Sequence, residues 1–263
     1  MAGRRRVRGS IIGRTRYHAL PMTEISSTGD RMLSALETVA ECGPVSAAEL
    51  ARRNGINRTV AHRLLTTLQQ RSYLRRVAEG YVVGPAVLRL ARSVEPLLVA
   101  AAMPQMMALA DDTGETVVAH VVDGGDAVVV AQALGTRHLV RVQHEEGSRH
   151  RLTIGASGRA LLAFRSEESI NAVLASVSEP QLLRRQLEAV RALGYAESHD
   201  ELQAGAHGIA APVRDRHGIS QASVAVVVPT GRAQTLNEHI EALLDTSRQI
   251  EQRLYGAVAE VAS

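Results

Sequence analysis

Residues 56–76 read INRTVAHRLLTTLQQRSYLRR, a stretch that contains arginine and histidine but no acidic residue. Five side chains that can donate or accept hydrogen bonds recur in it at the spacing of one helix face. They are Arg58, Thr59, His62, Arg63 and Thr66. Because two of them are permanent cations, this face could contact the phosphates and base edges of nucleic acid.

The same stretch has an apolar side. Ala61, Leu64, Leu65 and Leu68 fall at i, i+3, i+4 and i+7, which predicts a helix packed on a core. Asn57 precedes it and is a good N-cap residue. A charged face on an isolated helix is more often a solvated surface, so the interpretation depends on the neighbouring elements.

Those neighbours predict a winged helix-turn-helix. Ser46 and Glu49 form a capping-box pattern that begins a short helix, and Asn54-Gly55 ends it. An amphipathic helix precedes this pair, and two short strands follow, Tyr73–Val77 and Tyr81–Val83, around a turn at residues 79–80. In this arrangement the basic helix enters the major groove of DNA. The candidate DNA-binding residues are Asn57, Arg58, Thr59, His62 and Arg63 on the helix, and Arg75 and Arg76 on the wing.

The charge of the chain is uneven. The formal net charge is +3 over 263 residues, but the first twenty residues carry six arginines and no acidic residue, so the remaining chain is net acidic. We interpret residues 1–23 as a basic, disordered arm that precedes the folded domains. The single cysteine, Cys42, excludes an internal disulfide and fits a cytoplasmic protein.

Two other groups could do chemistry. His138, His144 and His150 lie six residues apart, with Glu145 and Glu146 between them, but this spacing matches no metal-ligand pattern. We therefore interpret them as surface-loop residues and expect no metal site.

Ser157 lies in GASGR, which distantly echoes a nucleophile elbow but lacks its final glycine. No order of Asp and His residues supports a catalytic triad, and Asp200, His207 and His217 are interpreted as turn residues. We expect no catalytic residue and no cofactor.

The second half of the chain predicts an antiparallel sheet with helices. A connector helix follows Pro85, and another helix runs from Pro96 to Thr113. Strands are expected in ETVVAHVV, AVVVAQAL, GIAAPVRD and SQASVAVVVP, with HLVRV as an added edge strand. Helices are expected from near Ser157 and over residues 167–176, 179–193 and 235–258. The fold class is therefore α+β.

The chain resembles the IclR family of bacterial transcriptional regulators from about Asp30 onward. The resemblance rests on the winged helix-turn-helix with VAHRLLTTLQ, the connector helix, RLTIGASGRALLAF, and GIAAPVRDRHGISQASVAVVVP. It implies a GAF-like effector domain, assembly into a homodimer or a dimer of dimers, and control of operator binding by a small molecule.

The resemblance also implies the positions of an effector pocket. They are Ala156 and Ser157 on the loop, and Ser198, Gly208, Ala225 and Val227 on the strand side. Relatives that bind small carboxylates carry polar side chains at the last four positions, whereas Ala225 and Val227 offer no hydrogen bond. A short anion would leave its oxygens unpaired there, at ~1–3 kcal/mol each. We therefore expect a more apolar effector, such as an aromatic acid, a lactone or an acyl compound, whose polar end Ser157 and the loop N–H groups could hold.

The expected function is a ligand-responsive repressor that binds a roughly palindromic, double-stranded DNA operator, with no membrane association. Its expected parts are the arm at 1–23, the DNA-binding domain at 24–84, the connector at 85–95 and the effector and oligomerisation domain at 96–263. Two alternatives remain open at this point: an enzyme with a GAF-like catalytic domain, and a non-specific architectural DNA-binding protein.

Overall fold

The computed structural model describes residues 26–256, which form two compact units. The first unit extends to Ala91 and the second begins at Arg92. The predicted arm at residues 1–23 and the predicted helix beyond Gly256 lie outside the described residues. Within the described part of the chain, no helix is long and apolar enough to cross a membrane.

Three helices enclose a small core in the first unit. They are α1 (Ser27–Cys42), α2 (Ala47–Asn54) and α3 (Arg58–Gln70). The buried core residues are Ala35, Val39, Val45, Leu50, Ala61, Leu64, Leu65, Leu68, Leu74 and Tyr81. The predicted apolar stripe of α3 is therefore buried, and the opposite face of this helix is left toward solvent.

Local hydrogen bonds set the turn between α2 and α3. The Ser46 hydroxyl accepts from the backbone N–H of Glu49 at 3.2 Å, as the capping-box pattern predicts. The Glu49 carboxylate instead pairs with two arginines of α2. Gly55 ends α2 at φ 63°, and the Asn57 Oδ1 then accepts from the Thr59 N–H at 2.7 Å to cap α3.

The wing is a two-stranded hairpin of β1 (Leu74–Val77) and β2 (Gly80–Val83). Its turn lies at residues 78–79, one residue earlier than predicted. Gly80 adopts φ 148°, and a Cβ there would lie 2.6 Å from the Val45 carbonyl. Glycine is therefore required where the hairpin crosses the chain between α1 and α2.

A short connector helix, α4 (Ala86–Ala91), follows the wing. Leu88 and Leu90 are 63% and 54% exposed on it. The first unit thus ends in a helix whose apolar side chains face outward.

The second unit is built on a six-stranded antiparallel sheet with the order β5-β4-β3-β8-β7-β6. The strands are β3 (Thr116–Asp123), β4 (Asp126–Ala133), β5 (Arg149–Arg151), β6 (Ala196–His199), β7 (Ala206–Arg214) and β8 (Ser220–Pro229). Together with the winged helix-turn-helix of the first unit, this sheet confirms the predicted α+β fold class.

Helices cover both faces of the sheet. One face packs on α5 (Pro96–Thr113) and α9 (Ile240–Tyr255), and the other on α6 (Gly155–Ala163), α7 (Glu167–Leu174) and α8 (Pro180–Leu193). The central strands are accordingly buried on both sides, with alternate residues in the two cores.

The prediction of an edge strand at HLVRV is wrong, because residues 138–142 form no strand. Side chains hold this segment instead: the Thr116 hydroxyl donates to the Val142 carbonyl at 2.6 Å and Arg232 donates to the Val140 carbonyl at 3.0 Å. Just after it, the Gln132 side-chain amide donates to the His144 carbonyl at 2.7 Å and accepts from the His144 N–H at 3.1 Å. The edge of the sheet is β5 instead.

Three other predictions need correction. The helix predicted from near Ser157 begins two residues earlier, at Gly155. The strand β6 was not predicted. The predicted last helix is a 3₁₀ segment, Thr230–His239, followed by α9.

Candidate functional site

The exposed face of α3 carries the polar residues that the sequence predicts for contact with nucleic acid. Arg58, Thr59, His62 and Arg63 are exposed. Asn57 is exposed too, but its Oδ1 already caps the helix. This helix is held to the core by one side and is basic on the other, which is the form of a helix that enters the major groove.

One concave surface joins α3 to the wing. Arg58, His62 and Arg76 line it together with the start of α2 and the hairpin turn. The Arg76 guanidinium lies 5.9 Å from the centroid of the Tyr81 ring, which is buried. This cation–π contact fixes a positive charge beside α3. The structure therefore brings three of the predicted DNA-binding residues to one surface.

Arg63 and Arg75 lie elsewhere on the first unit. Arg63 lines a second groove with Arg31 of α1, a residue that the sequence analysis did not identify. Arg75 is next to Arg76 on β1, and successive strand side chains point to opposite faces.

The four predicted arginine contacts have no acidic partner within residues 26–256, unlike the arginines of α2, which pair with Glu49. The four are Arg58, Arg63, Arg75 and Arg76. Their charges are available to an external anion such as a phosphate.

In the second unit, a cavity lies between the first turn of α6 and the facing strands. All six residues predicted for the effector pocket line it: Ala156, Ser157, Ser198, Gly208, Ala225 and Val227. Strand register explains why the strand residues meet. Gly208 pairs with Ser198 on one side and with Val227 on the other, so the three lie on one row across the sheet.

The cavity is narrow and has a loop at its mouth. Its open volume is about 30 Å³, which is room for one or two water molecules at ~10–15 Å³ each. Leu202 and Gln203 line it from an exposed loop between β6 and β7. A larger occupant must therefore displace part of this wall.

The wall is more polar than the sequence analysis expected. His120, His144 and His207 line it beside the alanines and Val227. Strand alternation in the sequence could have identified His120. It lies two residues after Val118 and so on the same face of β3, and both faces of this strand are buried. The prediction of an apolar wall holds for one part of the cavity and is wrong for the part near these imidazoles.

The imidazoles of His120, His144 and His150 pack together. The ring centroid of His120 lies 6.2 Å from that of His144 and 5.3 Å from that of His150, with the rings nearly perpendicular. The prediction that His144 and His150 are surface-loop residues is wrong, because both are half-buried against the fully buried His120. Within the described residues, no group of three or more His, Cys, Asp or Glu is arranged to hold a metal ion.

Burial keeps these three histidines neutral. It lowers the pKa of His120 well below the usual value, and the neighbouring histidines lower it further. Burial also lowers the pKa of His144 and lowers the pKa of His150 to about 4. At pH 7, therefore, each ring has one N–H donor and one bare nitrogen.

The start of α6 already holds a carboxylate of this chain. Glu201 accepts from the Gly155 N–H at 2.9 Å and from both terminal nitrogens of the buried Arg159 at 2.6 Å. Burial alone would raise the pKa of Glu201, but these hydrogen bonds hold it below its usual value. The sequence predicts that the N–H groups at this helix start are free for an effector carboxylate, and at Gly155 that prediction is wrong.

Of the three residues interpreted as turn residues, Asp200 and His217 lie in turns. His207 lies in β7 and is buried. Its Nδ1 is 2.7 Å from the Nδ1 of His199, and its Nε2 is 2.9 Å from the Thr230 hydroxyl. Its ring is therefore held on the cavity wall by two partners.

Two family models match the chain. The IclR helix-turn-helix domain matches residues 29–78, and the bacterial transcriptional regulator IclR C-terminal domain matches residues 94–252. The chain belongs to the IclR family.

Named relatives and solved structures agree with this assignment. The transcriptional repressor IclR of Escherichia coli is 30% identical over 224 residues, which are 77% of this chain and 80% of the relative. The structure of Pseudomonas aeruginosa HmgR is 26% identical, has a TM-score of 0.75 and covers 88% of this chain and 100% of its own. An IclR homologue from Microbacterium hydrocarbonoxydans, solved with 4-hydroxybenzoate, has a TM-score of 0.76 at 24% identity and covers 87% of this chain and 99% of its own.

The relatives are transcriptional repressors and regulators with a DNA-binding domain and a C-terminal effector domain. The protein is accordingly a transcriptional regulator of this family and not an enzyme. The alternative of a GAF-like catalytic domain finds no support.

The low pKa of His150 predicts a pH-dependent stability. The unfolded chain takes up a proton on this residue near pH 6.5, whereas the folded protein does so only at about 4. Since the unfolded state binds more protons between these values, the free energy of unfolding decreases as the pH falls from 6.5 to 4. Urea denaturation at pH 7, 6 and 5 should show a shallower decrease for His150→Gln than for the wild type.

His217→Gln, in an exposed turn, is the control for this experiment and should follow the wild type. Parallel pH curves for the wild type and His150→Gln would show that His150 is not buried in a neutral form.

Proposed function

We propose that the protein represses transcription in the bacterial cytoplasm by binding a double-stranded operator, and that a small organic effector in the cavity of the second unit changes this binding. The observation that carries the proposal is the exposed basic face of α3, whose arginines lack acidic partners among the described residues, next to a wing that carries two more arginines. A polar, cationic helix face of this kind reads base edges in the major groove.

The predicted contacts divide into two roles. We assign Arg58, His62 and Arg63, with Asn57 and Thr59, to the base edges and the adjoining phosphates. We assign Arg75 and Arg76 to phosphates beside the groove, because the wing runs along the DNA backbone in this arrangement. Arg31, which lines a groove with Arg63, is a further phosphate candidate.

Two matched arginine variants test these roles. Arg63→Ala should weaken operator binding by ~1–3 kcal/mol and affect random DNA less, because a lost base contact is specific to sequence. Arg75→Ala should weaken binding to both DNAs about equally and should lower the salt dependence, because one fewer phosphate is neutralised. Fluorescence anisotropy at several salt concentrations measures both effects. Unchanged operator and random-DNA binding by Arg63→Ala would contradict the assignment of Arg63 to a base edge.

Assembly follows from the same geometry. A single winged helix recognises only a short half-site. Two copies related by symmetry recognise two half-sites, which doubles the length of DNA sequence that is read. Leu88 and Leu90, exposed on α4, are the proposed contact between the two copies in a homodimer or a dimer of dimers. Sedimentation should give a mass above the 28.2 kDa of one chain, and Leu88→Glu should lower it. A wild-type monomer with and without DNA would contradict this assembly.

The proposed effector is a small organic molecule with an apolar body. Ala156, Ala206, Ala225, Val227 and Leu202 offer it an apolar wall, and burial of apolar surface contributes ~25 cal/mol per Å². A protein of the same fold holds 4-hydroxybenzoate, so this fold accommodates a small aromatic acid. The narrow cavity implies that the effector binds with movement of the wall, which is a route to altered DNA binding.

Two neighbouring valines of β8 provide a matched test of the cavity wall. Val227 lines the cavity, whereas Val226 packs in the core on the other face of the sheet. Val227→Thr adds a hydroxyl to the wall and should weaken binding of the tightest hit from a metabolite thermal-shift screen by ~1–2 kcal/mol. Val226→Thr should lower the melting temperature but leave the affinity of the folded protein unchanged. Equal affinity of Val227→Thr and the wild type would show that this strand residue does not contact the effector.

A further inference from the structure

Five buried polar atoms beside the cavity have no hydrogen-bond partner among the described residues. They are the Nδ1 and Nε2 of His120, the Nε2 of His144, the Nε2 of His150 and the hydroxyl oxygen of Ser223. His120 on β3 pairs in register with Ser223 on β8, so these two side chains lie on the same face of the sheet as the cavity.

This group of atoms, the His120 cluster, is unusual because buried polar atoms in folded proteins nearly always have a partner. The His120 ring is 1% exposed and carries two such atoms. Both His120 and His144 line the cavity. A fully buried imidazole on a cavity wall without a partner in the chain indicates that a water molecule or a ligand in the cavity completes its hydrogen bonds.

We propose that the His120 cluster binds the carboxylate of a small organic acid, and that the cluster takes up one proton from solution as the acid binds. The proposal rests on the assignment of the cavity to the effector, and it places the acidic end of that effector at the imidazoles, away from the start of α6.

The hydrogen-bonding capacity of the cluster favours a carboxylate. A carboxylate has only acceptor atoms, and the rings of His120 and His144, which line the cavity, can each donate to it. A neutral His120 would still keep one bare nitrogen without a partner. Protonation removes the bare acceptor nitrogen of His120, and the carboxylate accepts from the N–H group that faces the cavity.

Charge compensation also requires the proton. The buried cation near the cavity, Arg159, already binds Glu201 through two short hydrogen bonds. On β5, at the edge of the sheet, Arg149 and Arg151 pair with Asp126 of β4, at 3.8 Å each. The titratable and charged groups around His120 are His144 and His150 beside it, Asp126 and Asp123 with Arg149 and Arg151 behind His150, and His207 on β7 across the cavity. A buried carboxylate therefore obtains its counter-charge from an imidazolium.

The experiment measures binding and proton uptake together in the full chain. A panel of carboxylates from acetate to benzoate, 4-hydroxybenzoate and 3-phenylpropionate, each with its primary amide, is titrated into the protein by calorimetry. Titrations in phosphate and in Tris, whose ionisation enthalpies differ, give the number of protons taken up. We expect at least one acid to bind at least tenfold more tightly than its amide, with uptake of about one proton.

The affinity of the protein for that acid should fall about tenfold per pH unit between pH 7 and 8, because each binding event takes up one proton. His120→Phe keeps an aromatic ring but removes both nitrogens, and should abolish the proton uptake and the preference for the acid over the amide. His144→Gln is a second variant in case His120→Phe does not fold, and should reduce both. His217→Phe, in the exposed turn, should behave as the wild type.

Several results would overturn the proposal. They are a panel in which no acid binds more tightly than its amide, binding of the acids without proton uptake, no binding by any acid of the panel, or sub-micromolar binding of Zn²⁺ alone that His120→Phe removes. Operator binding by the wild type is measured in parallel. If the wild type binds operator and a ligand without a carboxylate releases it, the proposed function stands and the His120 cluster is not an acid site. If the wild type binds no operator, the proposed function itself fails.

Discussion

Burial of both faces of the six-stranded sheet is the constraint on which the effector domain depends. Helices on each side exclude water, so any polar side chain that turns inward needs a partner from the protein or from a ligand. Arg159 and Glu201 satisfy each other near the start of α6. The His120 cluster does not satisfy itself. Among the described residues, the same burial leaves the His120 cluster as the place where, in our proposal, an external group supplies the missing hydrogen bonds.

The DNA-binding unit could be predicted from the sequence because its signals are local. The stripe of α3 spans eight residues, and the caps at Ser46, Gly55 and Asn57 act within one helical turn. Each of these features is decided by neighbours in the chain, so spacing alone identifies it. The turn of the wing was misplaced by one residue, which local patterns resolve poorly.

The cavity could be predicted only in part, because its polar side depends on distant contacts. His150 lies on β5, which pairs with β4, and His144 lies on a loop, so both meet His120 of β3 only through side-chain packing. Arg159 likewise reaches Glu201 across 42 residues. The loop is held by the Gln132 side chain, where a strand pattern predicted backbone pairing. The spacing of residues along the sequence does not predict contacts between side chains that are far apart in the chain. The family resemblance supplied the strand positions, and the residues particular to this chain had to be found in the structure.

The central claim is that this regulator recognises a specific operator and that a ligand controls this recognition. The most direct measurement is binding to DNA from upstream of its own gene and to random DNA of equal length, each with and without the tightest ligand from the metabolite screen. The account predicts operator binding at least ~10³-fold tighter than random binding, and a change of about 5–150-fold on adding the ligand. Equal affinity for both DNAs, unchanged by the ligand, would contradict it.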